Sequence, residues 1–166
     1  MNINYYNWSL FLDNTPVLRW NSTGITVAGI SGSPGSADNQ LNLPYDIFLD
    51  YANNLYIADR NNHRIQKFLF GSSIGQTVAG NVTAGSSSDK LSYPGRVLID
   101  SNENLYITDT GNSRIQFWRK GANFGTTIAG TGKKSKSRLY SSKLLSSIFS
   151  TLNKTTLFFL YITVCL

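Results

Sequence analysis

Residues 44–80 read PYDIFLDYANNLYIADRNNHRIQKFLFGSSIGQTVAG, and residues 94–130 read PGRVLIDSNENLYITDTGNSRIQFWRKGANFGTTIAG. The two stretches align without a gap at an offset of 50 residues, and 16 of their 37 positions are identical. The identities cluster. Asn54-Leu55-Tyr56-Ile57 returns as Asn104-Leu105-Tyr106-Ile107, and Arg64-Ile65-Gln66 returns as Arg114-Ile115-Gln116. A fixed period of this length marks a chain built from one repeated supersecondary unit. A partial third copy precedes the two. Thr26-Val27-Ala28-Gly29 matches Thr77-Val78-Ala79-Gly80, Val17 and Trp20 fall where Ile65 and Phe68 fall, and residues 9–13 resemble the strand that ends in Asp59.

Each unit reads as four short strands. In the second they are expected at about 95–100, 104–108, 114–119 and 126–129. The turn signals Ser101-Asn102-Glu103, Thr110-Gly111-Asn112 and Gly121-Ala122-Asn123 separate them. Apolar and aromatic residues stand on both strand faces, as at Ile65 and Phe68 or Ile115, Phe117 and Trp118. That pattern suits a sheet sandwiched between two similar sheets. Four-stranded units at this period, covered on both faces, describe propeller blades. The expected fold is all-β: a partial, open β-propeller of four-stranded antiparallel blades with a non-propeller C-terminal tail. Residues 1–43 form a partial first blade and connecting loop, 44–93 and 94–132 are full repeats, and 133–166 are the tail.

The motif residues closely resemble the NHL repeat. Its pattern runs Pro, a short apolar strand, Asp, a tight turn, then Asn-x-Tyr and an Asp, then Asn-x-Arg-[IV]-Gln and an aromatic. Here that is Pro44, Asp50, Asn54, Tyr56, Asp59, Asn62, Arg64, Ile65, Gln66 and Phe68. The next copy gives Pro94, Asp100, Asn104, Tyr106, Asp109, Asn112, Arg114, Ile115, Gln116 and Trp118. The family usually places Gly in the turn before the Asn-x-Tyr strand, where this chain has Asn53 and Glu103. Asn tolerates a left-handed backbone and Glu does so less readily, so the turn of the second blade is expected to depart in geometry. Pro16 stands where the partial repeat would carry its Arg, so that copy is expected to lack the polar network. The signatures of WD40 and kelch propellers are absent.

Asp59 and Arg64 are five residues apart across a hairpin, as are Asp109 and Arg114. That spacing lets a carboxylate meet a guanidinium, with Asn62 or Asn112 bonding the turn backbone. Catalytic residues rarely recur once per repeat, so these six are read as repeat-defining structural residues. No catalytic, cofactor-binding or metal-binding residue is expected. His63 is the only histidine, and a zinc site needs several ligands, so His63 reads as a turn residue. Asp50 and Asp100 read as turn caps rather than calcium ligands. The glycine-rich run at 29–35 lacks a following Lys-Ser/Thr and is no phosphate loop. Tyr56, Tyr106, Phe68 and Trp118 could stack on RNA bases if exposed, but their repeat-defining positions point to core packing.

Net charge is +6, yet residues 1–132 hold nine basic and nine acidic residues, and all the excess lies in 133–166. The N-terminus has no basic and apolar leader pattern, and the single cysteine, Cys165, leans toward a reducing, cytoplasmic compartment. The chain ends TTLFFLYITVCL, shorter than the roughly 20 residues a bilayer span needs. Membrane contact is expected only if 144–166 is genuine protein sequence. The basic and apolar tail 133–166 is otherwise expected to be helical or disordered, as a membrane anchor or an unrelated amphipathic helix, and the favoured expectation is read-through of non-coding sequence, because Gly132-Lys133 can be encoded by a splice-donor consensus. About two and a half blades cannot close a ring of four to eight, so additional blades or self-association are expected to cover the open edges.

The resemblance implies a recognition scaffold with a protein partner. In tripartite-motif ubiquitin ligases such a propeller binds substrate while a separate zinc-binding RING domain catalyses. This chain lacks RING cysteines, so it is expected to be no enzyme and at most the substrate-binding part. The alternatives are an RNA-binding propeller, which requires a basic rim, and an amidating-lyase-like enzyme, which requires axial histidines.

Overall fold

The computed structural model describes residues 24–130. The strand expected at 9–13, Pro16, Val17, Trp20, Cys165 and the tail 133–166 lie outside the described residues. Eight strands form two four-stranded antiparallel sheets, ordered β1-β2-β3-β4 and β5-β6-β7-β8. The first blade comprises β1 Pro44–Leu49, β2 Leu55–Asp59, β3 Arg64–Phe68 and β4 Gly75–Gly80. The second comprises β5 Pro94–Ile99, β6 Leu105–Asp109, β7 Arg114–Trp118 and β8 Thr126–Gly130. Single 3-10 turns, Arg60–Asn62 and Thr110–Asn112, join the middle strands.

The strands begin and end within a residue or so of the sequence expectation. β6 starts at Leu105 rather than Asn104 because the preceding aspartate claims Asn104. Asp100 Oδ1 accepts the Asn104 backbone N–H at 2.9 Å, and Asp100 Oδ2 accepts its side-chain amide at 3.0 Å. Asp50 caps the matching turn of the first blade, accepting from the Ala52 and Asn54 amides. The turn of the second blade does not depart in geometry. Glu103 takes φ +61°, the same value as Asn53. Its carboxylate accepts from Lys120 of its own blade and, at 3.4 Å, from Lys67 of the first blade. Two lysine partners hold a residue that is otherwise unfavourable there.

Strand alternation divides each blade into two faces. Register sets Ile57 opposite Ile47 and Gln66, and Asp59 opposite Arg64, on the first face. Tyr56, Ala58 and Ile65 point to the second. Both faces are apolar because the blades stack. The second face of the first blade meets the first face of the second, and Tyr56, Ala58 and Ile65 share a core with Val97, Ile107 and Trp118. Burying each such large side chain contributes on the order of 1.5–3 kcal/mol. The first face of the first blade is covered by Val27, Ala28 and Leu41. Those residues fill the places that Val78, Ala79 and Leu91 fill between the blades. The TVAG segment at 26–29 thus packs as its repeat counterpart does. At the inner strands, the Val97 N–H donates to Asp46 Oδ2 at 3.1 Å, joining β5 to β1.

Each blade also carries an aromatic–glycine pair. Phe68 lies opposite Gly75, where an added Cβ would sit 2.8 Å from the ring, and Trp118 lies against Gly125 in the same way. The Gly75 and Gly125 amides donate to Asp38 and Ser88 carbonyls at 2.8 Å, tying the start of each fourth strand to the loop entering the blade.

Candidate functional site

The six residues expected at the hairpins come together in two equivalent networks. Arg64 Nε donates to Asp59 Oδ2 at 2.9 Å, and Asn62 Nδ2 donates to the same oxygen at 2.8 Å. The other carboxylate oxygen accepts the Asn42 N–H at 2.8 Å. Arg64 Nη2 continues to the Ala37 and Gln40 carbonyls. In the second blade Arg114 Nε and Asn112 Nδ2 both reach Asp109 Oδ2 at 2.7 Å, and the Ser92 N–H reaches Oδ1. The expected bond from Asn62 or Asn112 to its own turn is corrected. Each amide reaches back 27 residues, to the Gly35 or Gly85 carbonyl in the loop entering its blade. Asp59 and Asp109 are fully buried and Arg64 and Arg114 nearly so. Burial pushes the Asp109 carboxyl above the usual carboxylate range, against the lowering effect of its hydrogen bonds. Every oxygen of these carboxylates is taken, so the network leaves no free base or ligand atom.

Sequence reading missed two buried amides. Gln66 and Gln116 are fully enclosed on the first faces, with no hydrogen-bond partner among the described residues. Among the described residues no three His, Cys, Asp or Glu side chains group as a metal would need, and no helix is long and apolar enough to cross a membrane.

The two blades share one backbone, so residues that repeat are what the fold demands. Rim residues that do not repeat are free of that demand. On the rim that carries the 3-10 turns, four such residues converge from both blades. The Arg60 guanidinium sits 4.9 Å from the centroid of the Tyr45 ring and 6.0 Å from that of Tyr93. His63 Nδ1 accepts the Tyr93 N–H at 3.1 Å, and the two rings stand edge to face at 4.6 Å. Tyr45 is 63% exposed and Tyr93 45%. In the second blade Gly95, Thr110 and Ser113 take the places of Tyr45, Arg60 and His63. Tyr93 adopts φ +49° before a proline, but so does Leu43, so that backbone belongs to the repeat.

His63 does occupy a turn, with φ +53° at the end of its 3-10 segment. It also reaches the next unit, which its position alone did not reveal. Burial lowers its pKa, opposed by the charges of Asp109 and Asp59. Arg60 has no hydrogen-bond acceptor and no carboxylate partner among the described residues. Of the aromatics weighed for stacking, Tyr56, Phe68 and Trp118 are buried and Tyr106 is partly covered. Tyr45 and Tyr93 are exposed, and neither repeats. The opposite rim exposes Tyr51, Leu69 and Ile74 in the first blade.

Residues 41–68 match the family model of the NHL repeat. That segment spans β1 to β3 with the Asp59–Asn62–Arg64 network, and the same pattern returns 50 residues later. Repeats of this kind build β-propeller domains for protein interaction. A search of curated proteins gave no significant match to the chain.

Proposed function

We propose that this chain is a non-catalytic recognition scaffold that binds a protein partner through the rim formed by Tyr45, Arg60 and Tyr93. The observation that carries the reading is the convergence on one surface, from two blades, of two exposed tyrosines and a half-buried arginine that do not repeat. Tyrosine and arginine are the side chains that dominate binding energy at protein interfaces. The Asp–Asn–Arg networks serve as clamps that hold each blade to its entering loop and keep the rim rigid. A place as the substrate-binding part of a ubiquitin-ligase-like protein fits this division, since the rim supplies binding and its residues supply no bond-making group. RNA is the less favoured partner, because residues 1–132 balance nine basic against nine acidic residues and offer no excess charge for phosphates.

The purified chain is to be panned against a random peptide library and a random RNA pool in parallel. Peptides are expected to enrich, and Tyr45→Ala and Tyr93→Ala are each expected to weaken them roughly tenfold. Enrichment of RNA alone, or of peptides indifferent to both tyrosines, contradicts the reading.

A further inference from the structure

We infer that the rim selects its partner through an acidic side chain, whose carboxylate seats on the Arg60 guanidinium between the Tyr45 and Tyr93 rings. The inference rests on the recognition reading above and names the partner chemistry it requires.

The fold itself shows what its arginines do when acceptors are at hand. Arg64 binds a carboxylate and two carbonyls, and Arg114 a carboxylate and three carbonyls. Arg60, four residues before Arg64, has rings on hand but no acceptor among the described residues. Cation–π contact engages the flat faces of a guanidinium and leaves its N–H edge to donate. That edge matches a carboxylate, which accepts two parallel hydrogen bonds. Two rings limit the rotamers of Arg60, so less freedom is lost when the anion arrives.

Nearby acids do not compete for it. Both oxygens of Asp59 are committed to Arg64, Asn62 and Asn42, and an oxygen of Asp46 accepts the Val97 N–H. His63 adds no second cation to the cluster while its Nδ1 accepts the Tyr93 N–H, because that bond needs a neutral ring nitrogen. Within the cluster of Tyr45, Arg60, His63 and Tyr93 the one cation is Arg60, and a single guanidinium edge suits a singly charged carboxylate of Asp or Glu better than a phosphate, which draws on several cationic groups.

The test uses peptides enriched on the full chain. An acid is expected at one fixed position. Its Glu form, its Gln form and a phosphoserine form are then titrated by fluorescence anisotropy. On the wild-type chain, Glu to Gln is expected to weaken binding roughly tenfold, as loss of a charge-assisted hydrogen bond does. On Arg60→Thr, which carries the second blade's own residue, the two forms are expected to bind alike. The difference between the two chains isolates the Arg60–carboxylate pair. Arg60→Glu is expected to select peptides with Lys at that position instead. Equal binding of Glu and Gln forms by the wild-type chain overturns the inference but leaves the recognition reading standing, provided Tyr45→Ala still weakens both. A phosphoserine form that binds more than about tenfold tighter than Glu overturns the carboxylate assignment. Absence of any rim-dependent peptide overturns both.

Discussion

Arg60 and Arg64 differ by one turn of chain and by almost everything else. Arg64 is buried against Asp59, while Arg60 is half-buried beside two tyrosine rings. The pairing of Arg64 was legible, because a five-residue spacing across a hairpin brings the two groups together. The destination of Asn62 was not, because its partner lies 27 residues upstream in the loop entering the blade. No local spacing encodes that. Removing one partner of a buried pair leaves the other charge uncompensated. Asp109→Ala is therefore expected to cost about 3–5 kcal/mol in urea unfolding, a large part of a typical domain's stability. A loss under about 1 kcal/mol would show that the network is not a clamp.

His63 gives a cleaner titration, being the only histidine. Its folded-state pKa is lowered by burial, so between that value and the ordinary one the unfolded chain binds more protons. Stability then rises with pH across this window, just below the ordinary histidine value, and is lost as pH falls through it. Thermal melts across about pH 5 to 8 are expected to show wild type losing stability at the acid end relative to His63→Ser. Parallel curves would contradict the assignment.

At the scale of the element, the strands were legible because alternation and turn residues agree. The second-blade turn was misjudged because single-residue backbone preference ignores tertiary partners. Glu103 accepts the left-handed turn with lysines from both blades around it. The aromatic–glycine pairs were not read at all, although Gly75 and Gly125 recur at one position. Their spacing from Phe68 and Trp118 carries no meaning until β3 and β4 are paired. A side chain at Gly125 would enter the Trp118 ring. Gly125→Val is expected to lower stability by about 1–3 kcal/mol or more, visible as a clear drop in melting temperature. An unchanged melt would mean that β8 is not fixed against Trp118.

At the scale of the molecule, repetition shows how the blades stack and which faces the described residues leave open. Pro94 and Ile99 are buried under the first blade, while their counterparts Pro44 and Leu49 are exposed. On the far side of the second blade Tyr106 and Phe117 are only partly covered, and Ile128 is 44% exposed. This face repeats the one that the first blade buries against the second. Such a surface favours association with another apolar face. Phe117→Lys, which copies Lys67, is expected to reduce concentration-dependent self-association in light scattering. Identical scattering by both chains would place association elsewhere.

The repeat itself also supplies the control for the rim, since the second blade holds the same backbone without the cluster. The decisive measurement is made on the variant carrying Tyr45→Gly and Arg60→Thr, each the second blade's own residue. Thermal melting and binding of a rim-selected peptide are recorded on the same sample. Recognition through the rim predicts a melt altered by no more than the roughly 1 kcal/mol cost of a strand glycine, with peptide affinity reduced at least about tenfold. Undiminished peptide binding by a folded variant would contradict it, as would a collapse of the fold, which would make the cluster part of the scaffold instead of its recognition surface.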